Sequence, residues 1–230
     1  MIAADRMEFA GFRSVEVRSS AAPQPGVEWS GRTRVGEDEF LLAANGAGRA
    51  RASAAVDAAF RDFPADAIVS TGFCGALSPE LCIADIVVGT SVTEGAGRFP
   101  AVEPRCDRAH HKGVVITVDH VAQTAAEKSR LHGSGGSAVE MEAAGIASRA
   151  AALGAPFYCV RVVTDLAGED MANDFNGALR PDGHFATMNI LAGTLRKPLV
   201  RLPELFRLRR RCVLAARVLG EFIADCRFRA

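Results

Sequence analysis

The clearest hydrophobic pattern in the chain lies between residues 137 and 165. Ser137, Ala138 and Val139 lead into two carboxylates around a methionine, Glu140, Met141 and Glu142. The alanine-rich run 143–153 predicts a helix, which Gly154 and Pro156 stop. Residues 157–163 are apolar, aromatic and β-branched except for Arg161, which predicts a buried strand. Thr164 and Asp165 fall at its end. In a parallel α/β sheet, polar side chains just past a strand's carboxyl end face the ligand crevice. Arg161 is a charge inside a buried run and needs a partner. A buried salt bridge plus a helix cap at Asp165 is the plainer account. Convergence of Glu142, Arg161 and Asp165 on one crevice is the functional one.

The rest of the pattern alternates strands with helices. Residues 1–4 predict a short strand that starts abruptly, so either the true start lies upstream or the strand is unusually short. A helix or turn over 7–12 carries Glu8, whose plainer role is a solvated helix residue. A strand over 15–18, a Pro/Gly loop over 21–26 and a hairpin of 29–35 with 37–44 follow. Gly46 and Gly48 then turn the chain into a helix over 50–60. Residues 65–71 predict a strand running into a glycine-rich turn, 72–77, ended by Pro79. Further strands are expected over 83–89 and 114–118, with a surface loop over 99–111 between them. The segment 124–131 reads as a helix with Glu127, Lys128 and Arg130 on its polar side. The irregular stretch 167–183 is either a lid or a plain surface excursion. Helices over 185–195 and 203–222 close the chain. With no repeat and no linker, 1–230 reads as a single α/β domain with a basic helical region at about 196–224.

Composition narrows the class. The chain has 230 residues, 49% of them hydrophobic, enough for one large core. Basic and acidic residues balance at 27 each, which argues against a nucleic-acid partner. The six cysteines lack metal-site spacing and suit free thiols in a reducing compartment. His110 and His111 have no carboxylate at zinc-site spacing, so no metal is expected. Asp5, Arg6 and Glu8 break any signal peptide, and no run is long enough to span a membrane. The cytoplasm is the expected location.

Three polar clusters fall at strand ends: residues 72–76, Glu140 to Glu142, and Thr164 with Asp165. They suit a neutral glycoside of a nitrogen base. A carboxylate can hold two ribose hydroxyls, an aspartate can protonate a ring nitrogen as the base leaves, and a methionine can lie against the sugar. Gly46 and Gly48 can leave amides pointing at an anion, with Arg49 beside them. A Gly-x-Gly also occurs in many plain turns.

These residues resemble the family of purine nucleoside phosphorylases and methylthioadenosine/S-adenosylhomocysteine nucleosidases. Val139-Glu140-Met141-Glu142-Ala143-Ala144 is similar to its Val-Glu-Met-Glu ribose motif, and Arg161-Val162-Val163-Thr164-Asp165 to its Arg-x-Ile-Ser-Asp motif. Thr71-Gly72-Phe73-Cys74-Gly75-Ala76-Leu77, with Ala84-Asp85-Ile86-Val87-Val88, resembles its Thr-Gly-Ser-Ala-Gly-Gly-Leu…Gly-Asp-Ile-Val-Val segment. The resemblance covers roughly residues 41–167. It implies a three-layer phosphorylase-like fold with a central mixed sheet flanked by helices. It implies that Met141 and Glu142 hold the ribose and that Asp165 acts at nitrogen 7 of the purine. Glu8 matches the glutamate that orients water in the hydrolases. Phe73, Cys74, Gly75 and Glu140 would form the base and sugar pocket. Gly46, Gly48, Arg49 and Thr71 are candidate phosphate contacts. Phe73, Ala76 and Ala84 depart from the nucleosidase pattern. Val118-Asp119-His120-Val121, Thr124-Ala125-Ala126-Glu127-Lys128 and Leu179-Arg180-Pro181-Asp182-Gly183 resemble the hopanoid-associated phosphorylase branch, which implies adenosylhopane as substrate.

Three functions therefore stay open: cleavage of an adenine N-glycosidic bond, nucleoside binding without turnover, and an α/β domain for an unrelated ligand. For the enzyme, Arg49 and the Gly46/Gly48 turn favour inorganic phosphate as co-substrate, and Glu8 favours water; no other cofactor is expected. A homodimer or higher homo-oligomer is expected, because in the resembled family a neighbouring subunit completes the pocket. Arg196, Lys197, Arg201, Arg207, Arg209, Arg210, Arg211 and Arg217 crowd the last helix with leucines between them. That helix either packs on the sheet with a solvated basic edge or rests on an anionic membrane.

Overall fold

The computed structural model describes residues 1–12, 16–17, 27–186, 188, 194–195 and 197–228. The strand β10 (Phe157–Asp165) sits in the middle of three layers, and all of its residues are buried. Phe157, Cys159 and Val163 pack on one face with the alanines of α1 (Arg49–Asp62) and α3 (Ala143–Ala152). Tyr158, Val160 and Val162 pack on the other with Ala215, Leu219, Phe222 and Ile223 of α4 (Pro198–Ala224). Burial on both faces explains why the strand is a near-continuous apolar run. Gly145 in α3 lets the two alanine-rich helices touch, since a methyl group there would lie 2.4 Å from the Arg49 carbonyl oxygen.

The ten-stranded sheet is organised on β5 (Ile68–Ala76). Along one edge β5 runs parallel to β10. Its other edge is shared. The short β1 (Ile2–Ala3) pairs parallel at Ser70, and β9 (Gly136–Glu140) pairs antiparallel at Gly75 and Ala76. Beyond β1 come β4 (Asp38–Ala44), β3 (Trp29–Val35) and β2 (Glu16–Val17). Beyond β9 come β8 (His111–Thr117) and β6 (Ile86–Glu94), and β6 returns antiparallel to β10. Strands β5, β9, β8, β6 and β10 thus close a ring. A hairpin strand, β7 (Gly97–Pro100), pairs with β6, and α2 (Ala125–Gly133) connects β8 to β9.

The mixed sheet between helical layers is the architecture expected. Two expectations fail within it. Residues 72–76 are not a turn but the second half of β5, hydrogen-bonded to β10 and β9. Glycine normally weakens a strand, yet here the missing side chains make room for neighbouring polar groups. The supposed loop 99–111 likewise begins inside β7 and ends at the first residue of β8. Residues 21–26 lie outside the described residues, as do most of 185–195 and part of 15–18.

Candidate active site

Arg161 is the hub of the site. Its side chain is wholly buried and donates to Glu140 Oε2 at 2.5 Å, to Ser70 Oγ at 2.6 Å and to the Thr71 carbonyl oxygen at 2.9 Å. Burial opposes its charge, but Glu140 outweighs that and holds the guanidinium firmly protonated. Glu140 also accepts from the Glu142 and Ala143 amides at 2.9 and 2.8 Å and from Thr117 Oγ1 at 2.5 Å. It therefore anchors the start of α3 and ties β9 to β8 and β10. These bonds engage both carboxylate oxygens, so Glu140 supports the pocket from beneath.

Glu8 lies across β5 from this hub. It is buried rather than solvated, because the 3-10 helix Arg6–Phe9 tucks under α4. A methyl group on Gly220 would lie 2.2 Å from the Gly11 carbonyl carbon, so α4 presses directly on the chain that follows Glu8. Glu8 Oε2 accepts from the Ala4 and Asp5 amides at 2.8 and 2.9 Å, and Oε1 from the Phe73 amide at 2.6 Å. Burial raises its pKa above the usual carboxylate range, against those amides and Arg161.

Glu142 begins α3 and reaches to the turn before α1, where its Oε1 accepts from the Gly48 amide at 2.8 Å. Burial, reinforced by the Glu140 and Glu8 charges, pushes it up to about 8. Met141 beside it is half-buried. The Gly46 amide donates to the Ala4 carbonyl oxygen at 2.9 Å, and Arg49 is paired with Glu94 at 2.6 Å. Gly46, Gly48 and Arg49, three of the four groups expected to meet an anion, are therefore engaged within the protein. Thr71 is buried beside the hub, and its Oγ1 has no hydrogen-bond partner.

Asp165 is placed by an irregularity in β10. The register shifts between Val163 and Asp165, so Asp165 sits opposite Gly75. Such bulges re-aim side chains beside functional sites. A methyl group on Gly75 would lie 2.8 Å from Asp165 Oδ2. Thr164 Oγ1 donates to the Cys74 carbonyl oxygen and to Asp165 Oδ1, both at 3.2 Å. Cys74 is buried, which raises its thiol well above the usual range, and Phe73 and Gly75 are half-buried. Burial also raises the Asp165 pKa, against the opposing pull of Lys128.

Lys128 corrects the sequence reading. It is not on the polar side of α2 but fully buried, hydrogen-bonded to Asp165 Oδ2 and, at 2.8 Å, to the Leu166 carbonyl oxygen. The usable signal was its spacing three residues before Leu131, which also turns inward onto a small apolar cluster. Glu169 and Arg211 were also missed. They form a two-pronged pair at 2.7 and 2.9 Å next to Asp165, bringing α4 to the site. A cavity that none of these groups lines lies elsewhere, at the amino-terminal edge of β1 and β5 between Phe40 and Phe63.

Buried carboxyl groups, Glu8, Glu142 and Asp165, thus surround the hub and the glycine-bearing half of β5. Residues 24–110 and 105–181 match the phosphorylase superfamily. The 5'-methylthioadenosine/S-adenosylhomocysteine nucleosidase of Mycobacterium bovis is 28% identical over 186 residues, 59% of this chain and 73% of that protein. The enzyme of the same description from Shewanella sp. is 25% identical over 223 residues, 83% and 93% of the two chains. Among solved structures, the Neisseria meningitidis nucleosidase in complex with methylthio-immucillin-A has a TM-score of 0.67 at 21% identity, covering 97% of this chain and 95% of that one. The futalosine hydrolase of Helicobacter pylori has the same TM-score at 15% identity, covering 97% and 94%. The chain belongs to the phosphorylase superfamily and is an enzyme of the nucleoside phosphorylase and nucleosidase type.

Proposed function

We propose that this protein cleaves the N-glycosidic bond of an adenine nucleoside. Asp165 gives a proton to nitrogen 7 of the departing base, Glu142 with Met141 holds the ribose hydroxyls, and Glu8 orients an attacking water. The observation that carries this reading is the gathering of three buried carboxyl groups: Glu8 and Asp165 lie along the second half of β5, at Phe73 and Gly75, and Glu142 is near enough to Glu8 for their charges to interact. Burial raises all three above the ordinary carboxyl range, which favours the protonated form that a proton donor needs. Water rather than phosphate is supported by the engagement of Gly46, Gly48 and Arg49 with Ala4, Glu142 and Glu94. The nucleosidases among the relatives support the same choice. Liberated adenine is measured by chromatography after incubation with methylthioadenosine or adenosine, with and without inorganic phosphate. Equal rates support hydrolysis. A rate that needs phosphate would return Gly46, Gly48, Arg49 and Thr71 to a phosphate cradle.

A homodimer or higher homo-oligomer is part of this reading. Phe73 and Met141 are only half-buried, which leaves the sugar side of the crevice for a neighbouring subunit to cover. Sedimentation as a monomer at micromolar concentration would oppose it. The six cysteines are all free, which supports a reducing cytoplasm.

A second substrate reading is favoured by α4. Its outer side exposes Leu199, Phe206 and Val213, at 91, 59 and 58%, beside Arg209, Arg210 and Arg217. No helix among the described residues is long and apolar enough to cross a membrane. An exposed apolar and cationic side suits contact with an anionic lipid surface. The inner side of the same helix reaches the site through Arg211. That combination supports a lipid-linked adenine nucleoside such as adenosylhopane, drawn from a bilayer, over a small soluble one.

A further inference from the structure

Lys128 is used by nothing in the function proposed above. It is the largest buried cation after Arg161, with no exposure at all. A wholly buried ammonium is costly, and a hydrophobic side chain of similar length would fill the same space without that cost. Lys128 shares its face of α2 with Leu131, so an apolar residue would suit the position. Its partners, however, are Asp165 and the carbonyl oxygen of the residue that follows it.

The surroundings hold this contact in place. Thr124 caps α2 by accepting from the Glu127 amide at 3.2 Å. Asp170 accepts from the Ala125 amide at 2.7 Å, and the Met171 amide donates to the Gln123 carbonyl oxygen at 2.8 Å. The start of α2 is thereby fastened to the chain that leaves β10, just ahead of the lysine. The other charged or titratable groups near Asp165 are Glu169 and Asp170 in that chain, Glu204, Arg207, Arg211 and Cys212 of α4, and Cys74 of β5. Arg211 is committed to Glu169, and both thiols are held neutral by burial. Lys128 is thus the cation in direct contact with the acid.

We infer that Lys128 is a positioning residue for the general acid: its ammonium group aims the Asp165 carboxyl group into the crevice and sets the pH above which that group no longer donates. The inference rests on the glycosidic reading, in which Asp165 must be protonated to act. A neighbouring cation favours the ionised form, so it lowers the pH at which donation fails, by about 1–3 units when within a few ångströms. The gain is orientation, and a carboxyl group able to return to the anion after each proton transfer.

The test is the pH profile of kcat/KM for adenine release, in the parent, Lys128→Arg and Lys128→Met. In Lys128→Met the high-pH limb should move upward by at least 1 unit and the plateau kcat should fall about tenfold or more. In Lys128→Arg, which keeps the cation, the limb should stay within about half a unit of the parent. Lys128→Gln still donates hydrogen bonds and replaces the methionine variant should that one not fold. A lowered kcat with an unmoved limb in the neutral variant would make Lys128 merely structural and overturn the inference. Asp165→Asn, assayed alongside, separates the two claims. If it turns over like the parent, the glycosidic reading fails. If it is inactive while the neutral lysine variant keeps the parent's limb, the inference about Lys128 fails by itself.

Discussion

Glu8 occupies space that a side chain on residue 72 would need. A methyl group on Gly72 would lie 2.3 Å from Glu8 Oε1, and the backbone there has φ +136°, a conformation other residues rarely adopt. Gly72→Ala should therefore cost about 3 kcal/mol in stability, read as a lowered Tm, and should displace Glu8. Gly75→Ala has no such backbone penalty but would crowd Asp165 Oδ2. It should lower kcat about tenfold or more with a small change in Tm. Equal effects of the two substitutions on Tm would contradict this separation.

Arg161 offers a test of the hub. Replacing it with methionine removes one partner of a buried ion pair and leaves Glu140 uncompensated, which costs about 3–5 kcal/mol. Adding Glu140→Gln to Arg161→Met should recover part of that loss, because the stranded charge is then gone. Chemical denaturation of the two variants and the parent measures both steps. A double variant less stable than Arg161→Met alone would show that the pair is not the main contact of either residue.

Stability should also depend on pH through Glu142. Folded, it holds its proton up to about 8, against an ordinary value of 4.5. Between those values the native state binds the extra proton, so this contribution is lost as pH rises from 4.5 to 8, by at most about 1.4 kcal/mol per unit. Glu169 works in the opposite sense. Arg211 holds it down to about 2, so its contribution is present above 4.5 and lost as pH falls toward 2. Denaturation from pH 3 to 8 should show a decline on both sides of about 4.5. Glu142→Gln should make the upper side shallower and leave the lower side as it is, the remaining upper slope coming from the raised Glu8 and Asp165.

Much of this site was legible in the sequence because its residues lie close together. Glu140, Met141 and Glu142 follow one strand, and Arg161 to Asp165 end another. Strand periodicity places both clusters. The need of a buried Arg161 for a partner was also readable, and the partner is Glu140. What failed depends on contacts distant in sequence. The plainer reading of Glu8, a solvated helix residue, fails because α4, more than 190 residues later, packs over it. Lys128 looked solvated because its partner Asp165 lies 37 residues away. The glycines of β5 looked like a turn because local rules read glycine as a breaker. They are strand positions where Glu8 and Asp165 need the missing side chains' room.

The membrane reading makes its own prediction. Arg211 is taken up by Glu169 and does not belong to the exposed set, whereas Arg209 and Arg210 do. Each such arginine contributes about 1 kcal/mol near an anionic surface. The protein should co-sediment with anionic vesicles at low salt, and Arg209→Ala with Arg210→Ala should weaken that binding roughly 30-fold without lowering hydrolysis of a small nucleoside. Absence of binding at low salt, or binding unchanged by the substitutions, would return the substrate to a soluble nucleoside.

The central claim is that Asp165 protonates the leaving base. Its most direct measurement is adenine release by the parent and by Asp165→Asn in phosphate-free buffer near neutral pH, with nucleoside affinity measured in parallel by calorimetry. The asparagine variant should lose at least about 100-fold in kcat, on the order of what general acid catalysis supplies, while binding the nucleoside within about threefold of the parent. An Asp165→Asn protein that releases adenine at the parent's rate would contradict it.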